Sequence, residues 1–312
     1  MTALEAVSVH LPGESVPIEQ AAGPLGLSAK EVALFRRFHG LDRVVLDAEG
    51  SLLDLLRGAV AAMKPLQGRE KQVRYVLHAR SMPVSVPYPV NPLHQVCHEF
   101  GLDHAIAFTV THHGCASSLL AIDLAGRLLA AEPDPEALAL IVAGEKTFTR
   151  DAQFVPETSL FSEGAAACLV RAGEGSGRDR MLSYSAVLRG EFNGRLAEDQ
   201  DLMFRYQRAY PELLAGVIES ALDSAGTSLE DLRLILPHNV NRVVWKRLCK
   251  SIGFPLGKVV LDNVQPLGHS FAADVLINYH TATSRGLLEP GDRYLMAAAG
   301  LGAAFSAMVF ES

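Results

Sequence analysis

The 312 residues are 49% hydrophobic and 20% charged, enough to bury a substantial core in one large or two smaller domains, which excludes a disordered chain. A net charge of −7 gives no general reason to bind nucleic acid or an anionic membrane surface. Four cysteines, Cys97, Cys115, Cys168 and Cys249, lie far apart without paired spacing, and the N-terminus has neither a basic flank nor a long apolar core, so we expect a cytoplasmic protein with reduced thiols, no disulfide framework, no metal site and no membrane span.

Taken in order, strands and helices alternate. Ala6 to Leu11 reads as a strand and Ser28 to Phe38 as a helix capped by Ser28. Ser51 to Met63 is strongly periodic, Val73 to His78 is a strand, and the proline-rich Ser81 to Pro92 is an extended loop. A short helix, Leu93 to Phe100, precedes the strand Ala105 to Val110. Buried strands are expected at Ala137 to Ala143 and Ala165 to Val170, with an irregular segment, Thr147 to Ser159, between them. Arg171 to Arg180 is the best linker and divides the chain into halves 1–172 and 181–312. Beyond it come a strand (Ser183 to Leu188), a long helix (Tyr210 to Ala225), a strand (Leu232 to Leu236), a helix (Asn241 to Ile252), a short strand (Lys258 to Leu261), a small-residue helix and two closing apolar strands.

The segment "VTHHGCASSLLAIDLA" places Cys115 at the first turn of an almost uncharged helix. Free N–H groups and the macrodipole favour an anion there by ~0.3–1 kcal/mol, and up to ~2 when partly buried. A positioned, partly ionised sulfur is a nucleophile, and Gly114 leaves room for a substrate. On this segment alone, Cys115 reads equally as a small buried hydrophobe.

An internal correspondence adds to this. "HHGCASSLLAIDLA" matches "PLGHSFAADVLINY", and "LALIVAGE" followed by "GAAACLVRA" matches "RYLMAAAG" followed by "GAAFSAMVF". Two α/β units packed about a pseudo-twofold axis would bring the helix starts after Gly114 and Gly268 toward one pocket, and with them Cys115 and His269.

The buried cysteine, "LPHNVN", "GHSFAAD" and "AAGLGAAFSA" in this order resemble the thiolase-fold condensing enzymes, and most nearly the β-ketoacyl-acyl-carrier-protein synthase III proteins, over nearly the whole chain. The resemblance implies an α/β thiolase-like fold of two pseudo-symmetric βαβαβαββ halves in a five-layered α-β-α-β-α core. It implies an acyl-accepting nucleophile at Cys115, a catalytic histidine at His238 and an oxyanion hole from the N–H groups of Cys115 and Gly300. No tightly bound cofactor is implied, phosphopantetheine thioesters on acyl carrier protein or coenzyme A are the substrates, and a homodimer is expected.

His269 departs from that pattern, since synthase III proteins usually have asparagine there. Two imidazoles, His238 and His269, can cradle a malonyl thioester oxygen during decarboxylation, as in elongating condensing enzymes. A neutral His269 can equally take a proton from an alcohol or amine acceptor. Leu34 and Phe38 fall where the family's adenine-sandwiching tryptophan and arginine stand, while Arg36, Arg37 and Arg43 lie out of register, which favours a carrier-protein donor over coenzyme A.

Several residues carry a plain structural alternative. Arg242, Lys246, Arg247 and Lys250 on one helix form a basic patch that could dock a carrier protein or a phosphopantetheine phosphate, or simply be a solvated face. Asn241 either supports the ring of His238 or only starts its helix. His94, Cys97 and His98 have metal-like spacing but no fourth ligand, so a structural role is expected. At least one of His112 and His113 is a packing or interface residue.

The expected activity is therefore a ketosynthase of polyketide, fatty-acid or other specialised metabolism, in which acyl-Cys115 condenses with a malonyl thioester. The alternatives are an acyltransferase to an alcohol or amine and a silent partner subunit, against which the retention of Cys115, His238 and His269 argues.

Overall fold

The computed structural model describes residues 2–149, 152–173, 179–193 and 198–312. In the first half, β1 (Thr2–His10) leads through β2 (Val16–Pro17) to α1 (Ile18–Leu25) and α2 (Ala29–Leu34). Then follow β3 (Arg43–Val44), α3 (Leu52–Ala61), β4 (Val73–Ala79), α4 (Pro92–Glu99), β5 (Ile106–Val110) and α5 (Ser117–Ala130). β6 (Leu138–Gly144), the small hairpin β7 (Phe154–Val155) with β8 (Ser159–Leu160), and β9 (Ala165–Ala172) complete it. The second half runs β10 (Arg180–Leu188), α6 (Gln200–Ala225), β11 (Leu232–Pro237), α7 (Arg242–Ile252), α8 (Val264–Leu267), α9 (Asp274–Ser284), β12 (Arg293–Gly300) and β13 (Ala304–Glu311).

Nine strands form one mixed sheet in the order β11-β12-β13-β10-β1-β9-β6-β4-β5. Within it the two halves meet where Thr2 and Ala3 pair with Met181 and Arg180. Parallel pairings join β4 to β5 and β6 in the first half and β11 to β12 in the second. Strand alternation builds the layers. Leu138, Leu140 and Val142 of β6 face α3 and α4, while Ala139, Ile141 and Ala143 face α5. Likewise Leu295, Ala297 and Ala299 of β12 face α6 and α7, while Tyr294, Met296 and Ala298 face α9. α5 and α9 therefore share one core between the two halves of the sheet, with α3–α4 and α6–α7 outside, the five-layered α-β-α-β-α order. Because it is covered on several sides, α5 buries nine of its fourteen residues, which is why its sequence lacks a polar stripe.

Several boundaries differ from the sequence reading. α6 starts at Gln200, ten residues before the expected Tyr210, because Asp199 caps it and accepts from Leu202 N at 2.9 Å; Pro211 lies inside the helix, not at its start. Lys258 to Leu261 is no strand of the sheet: Val259 makes a single bridge to Ile235 after a 3₁₀ turn. The helix expected over Ser28 to Phe38 is α2, with the Ser28–Glu31 capping box, followed by a π-helical turn at Phe35–His39. Ile18, Leu25, Phe35 and Leu41, which precede the linker in sequence, pack into the core beneath α6 and α7, so packing does not follow the halves 1–172 and 181–312 in this segment. Residues 174–178 of the expected linker lie outside the described residues.

Candidate active site

Cys115 sits in a 3₁₀ turn, Gly114–Ala116, between the end of β5 and α5, so the helix proper begins two residues after the sulfur. The turn is reached through two left-handed residues, His112 (φ 71°) and Gly114 (φ 54°). Gly114 is also pressed against the turn after β12: a Cβ on it would lie 2.8 Å from Gly300 Cα. The close approach of the Cys115 and Gly300 segments that an oxyanion hole needs is thus present. His113 supplies the carbonyl beneath Gly300, while His112 is exposed.

His269 follows Gly268, whose φ of 71° turns the chain out of α8. Its backbone is clamped on both sides, since His269 N–H donates to Leu160 O (3.1 Å) and Ser162 N–H donates to His269 O (2.8 Å). Phe161 stacks on the ring with centroids 4.8 Å apart. In this setting Nε2 stands 3.2 Å from Cys115 Sγ, and Nδ1 meets the Asp274 carboxylate at the first residue of α9. Burial works against a charged ring, but the Cys115 sulfur and the Asp274 carboxylate outweigh it and push His269 up to about 10. Nε2 and the Cys115 sulfur thus face one another within hydrogen-bond reach.

Asp274 is itself held by a buried amide network. Its oxygens accept from Asn239 N (2.5 Å), Ser270 N (2.7 Å) and Asn239 Nδ2 (3.2 Å). Asn278 then bonds Asn239 Oδ1 at 2.8 Å and Pro237 O at 2.7 Å, tying α9 to the end of β11. Cys115, His269 and Asp274 thus stand in hydrogen-bonded line, a geometry that can activate a thiol.

His238 directly follows β11, its N–H donating to Ala297 O at 3.0 Å and its carbonyl accepting from Trp245 Nε1 at 2.9 Å. Its ring centroid is 5.7 Å from that of His269, yet its Nε2 is bonded to the Tyr210 hydroxyl at 2.8 Å. Burial, then the charge of His269, push His238 down to about 3, so it is neutral. Burial raises the Tyr210 phenol, with Tyr206 and Cys115 adding to it, so Tyr210 keeps its proton. The Tyr210 hydroxyl thus occupies Nε2, which is not free for a substrate in this state, while Nδ1 is buried with no hydrogen-bond partner among the described residues.

These groups close the base of a cavity of about 420 Å³, where Cys115, Phe161, Tyr206, Tyr210, His238 and His269 meet. Lys30, Phe38 and Arg247 line its exposed end. Leu34 and Phe38 both line it, whereas Arg36 turns to Glu19 and Asp42, and Arg43 to Ser15. Arg242, Lys246, Arg247 and Lys250 are exposed on α7, and of these Arg247 alone reaches the cavity. Asn241 does not support the ring of His238: its Oδ1 caps α7 at Val244 N and its Nδ2 donates to Thr158 O, each at 2.8 Å. Its extended backbone at the helix start requires a side-chain cap, which is the physical reason for this role. Cys97 is buried while His94 and His98 are exposed, and His98 turns to Asp103.

Sequence reasoning passed over Asp274, Asn239 and Tyr210. Asp274 was legible only as the aspartate five residues after His269 in "GHSFAAD", and Asn239 as the residue after His238. Tyr210 was hidden because the helix that carries it extends well upstream of Pro211.

Residues 222–312 match the family model described as 3-oxoacyl-[acyl-carrier-protein] synthase III C terminal. A β-ketoacyl-[acyl-carrier-protein] synthase III of Ruegeria sp. (strain TM1040) is 28% identical over 293 residues, covering 87% of this chain and 88% of its own. Among solved structures, the acyltransferase ChlB3 superposes with a TM-score of 0.85 at 21% identity, covering 99% of this chain and 97% of its own. The 3-oxoacyl-[acyl-carrier-protein] synthase III of Aquifex aeolicus superposes at 0.83 with 19% identity, over all of both chains. The layered fold is thus the thiolase-like fold of these solved structures, and in its C-terminal segment and over most of its length the chain is similar to 3-oxoacyl-acyl-carrier-protein synthase III proteins.

Proposed function

We propose that this chain is an acyltransferase that loads an acyl group from a phosphopantetheine thioester onto Cys115 and passes it to a hydroxyl or amine acceptor. The observation that carries this reading is the line Cys115–His269–Asp274, with His238 occupied by Tyr210. The Cys115 thiolate attacks the thioester carbonyl, and the N–H groups of Cys115 and Gly300 hold the oxyanion. As the tetrahedral adduct collapses, the leaving thiolate takes the proton from His269. Acyl-Cys115 then faces a neutral imidazole. Its Nε2 removes the proton from the acceptor as the acceptor oxygen or nitrogen attacks, and Asp274 stabilises the imidazolium that forms. Expulsion of the Cys115 thiolate restores the starting pair.

On the same reading the acidic carrier protein docks against Arg242, Lys246, Arg247 and Lys250, with Arg247 nearest the cavity, and no tightly bound cofactor is needed. The chain acts as a homodimer through the edge strand β5, whose Ile106 is 62% exposed. Intact-mass analysis after incubation with acyl-carrier-protein thioesters tests the first half of the cycle: an adduct on the native chain, absent from Cys115→Ala, is expected, and an adduct that persists in that variant contradicts it.

The second reading is decarboxylative condensation with a malonyl thioester. The proximity of the His238 and His269 rings to one another in the cavity that Cys115 lines, and the names of the relatives, favour it. It requires His238 to leave Tyr210 so that both imidazoles donate to one thioester oxygen.

A further inference from the structure

A second hydrogen-bonding group, besides His269, reaches the Cys115 sulfur. Ser81, the first residue of the proline-rich loop after β4, places Oγ 3.5 Å from Cys115 Sγ, an ordinary distance for a hydroxyl bonded to sulfur. Pro83, Val84 and Pro87 to Val90 of the loop are exposed, and only Met82 and Val86 pack against the core. The loop is held at its root. Glu145, at the end of β6 and 0% exposed, accepts Ser81 N–H at 2.6 Å with one oxygen and Met82 N–H at 2.7 Å with the other. On the far side, Arg80 N–H donates to Val110 O at 3.0 Å, fixing the same root to the end of the strand that feeds Cys115. Arg80 then folds the loop back on itself through Ser85 Oγ (2.6 Å) and Pro83 O (2.7 Å).

Burying a carboxyl group costs free energy, and here it pushes Glu145 up to about 7 against the two amide bonds, the nearby Ser81 hydroxyl and the Arg80 charge, all of which favour the charged form. The acylation and transfer steps described above make no use of this residue. A buried carboxyl group that accepts two adjacent amides beside Cys115 calls for a geometric role, since leucine could accept neither amide and glutamine has a single acceptor oxygen.

We propose that Ser81 donates a hydrogen bond to the Cys115 thiolate, sharing the sulfur with His269, and that Glu145 is the positioning residue that sets the Ser81 hydroxyl in place. The bond stabilises the thiolate before acylation, and the hydroxyl is released from the sulfur once the thioester forms. This assignment rests on Cys115 as the nucleophile, but its test reads the sulfur directly and needs no acyl donor.

The test is the pH dependence of Cys115 alkylation by iodoacetamide, followed by intact mass in the native chain, Ser81→Ala, Ser81→Thr, Glu145→Gln and the double variant Ser81→Ala/Glu145→Gln. Ser81→Ala is expected to move the midpoint of the profile to higher pH by about one unit, so that alkylation at pH 7 slows roughly tenfold, as expected for loss of one hydrogen bond to a charged group. Ser81→Thr, which keeps the hydroxyl, should alkylate within about twofold of the native chain. Glu145→Gln should move the midpoint in the same direction, and the double variant should fall no further than Ser81→Ala. A Ser81→Ala profile that coincides with the native one overturns the bond to sulfur. A double variant that falls well beyond Ser81→Ala overturns the positioning role of Glu145. Far-ultraviolet circular dichroism on each variant separates these results from loss of fold. Failure of acylation with a normal alkylation series would instead count against the acyltransferase reading and leave this one standing.

Discussion

Gly300 lies so close to Gly114 that neither can carry a side chain: a Cβ on Gly300 would lie 2.7 Å from Gly114 Cα and 2.1 Å from His113 O, and one on Gly114 would lie 2.8 Å from Gly300 Cα. The atoms met are backbone, which cannot swing aside. Contact between the end of β12 and the nucleophile turn therefore fixes how the two N–H groups proposed for the oxyanion site stand relative to the sulfur. Gly300→Ala should separate the two turns and slow acylation of Cys115 by about 10²-fold, the usual result of an ångström-scale displacement in a catalytic array. Stopped-flow release of the carrier thiol measures this, and an unchanged acylation rate would remove Gly300 from the site.

Asp274 orients His269, so Asp274→Asn is expected to reduce turnover roughly 10²–10⁴-fold while acyl-Cys115 still accumulates. The amide retains one acceptor oxygen, which can serve only one of the Asn239 and Ser270 N–H groups because these meet different carboxylate oxygens, so circular dichroism on the variant checks the fold. Quench-flow with separate loading and transfer phases checks this. Equal losses in both phases would mean that Asp274 supports the nucleophile rather than the transfer step.

Tyr210→Phe releases His238 Nε2. If the phenol is what withholds His238 from a thioester oxygen, the variant should gain malonyl decarboxylation relative to acyl transfer by about tenfold, the effect of one added oxyanion donor at the low end of the usual range. Carbon dioxide release from malonyl carrier protein, compared between native and variant chains, reads the change. An unaltered partition would show that Tyr210 is a structural partner only.

Stability should fall as pH drops from about 6 toward 4. His238 and His78 are held neutral by burial, at about 3 and about 4 against an ordinary 6.5, so the unfolded chain binds more protons than the folded one in this window. Their contribution is complete above pH 6.5 and is lost as pH falls through the folded values. Glu145, raised to about 7, works in the opposite direction, because its folded form holds a proton that the unfolded chain releases above about 4.5. His269, raised to about 10, also opposes the trend once the unfolded chain begins to lose its histidine protons above about pH 6, so the net slope is positive only below that pH. Urea midpoints at intervals between pH 4 and 6 should rise with pH, and a flat or falling series would contradict the burial of His238 as a neutral ring.

Much of this architecture was legible because the hydrophobic pattern and the internal repeat report on burial. The uncharged run from Ser117 to Ile122 marks a helix covered on several sides, and the matched "GC" and "GH" helix starts bring Cys115 and His269 to one place, as the 3.2 Å between them bears out. The partners of the histidines were less legible. Asp274 and Tyr210 act through side-chain direction, which spacing does not encode, and α6 crosses a proline that usually signals a helix start. Asn241 stands close to His238 in sequence, whereas its side chain closes the nearer, local cap. The interleaving of residues 18–44 with the second half was invisible for a similar reason, since an amphipathic helix declares that it has a buried face but not against what.

The central claim is that His269, held by Asp274, hands acyl-Cys115 to an oxygen or nitrogen acceptor. The most direct test is a single-turnover chase: Cys115 is loaded from an acyl carrier protein, excess donor is removed, and the acyl-enzyme is divided between a panel of alcohols and amines and malonyl carrier protein, with adduct mass and carbon dioxide followed together. The account predicts loss of the adduct with an alcohol or amine, formation of an ester or amide, and little carbon dioxide from the malonyl arm. Discharge by malonyl carrier protein alone, with stoichiometric carbon dioxide and a β-ketoacyl product, would contradict it and establish condensation instead.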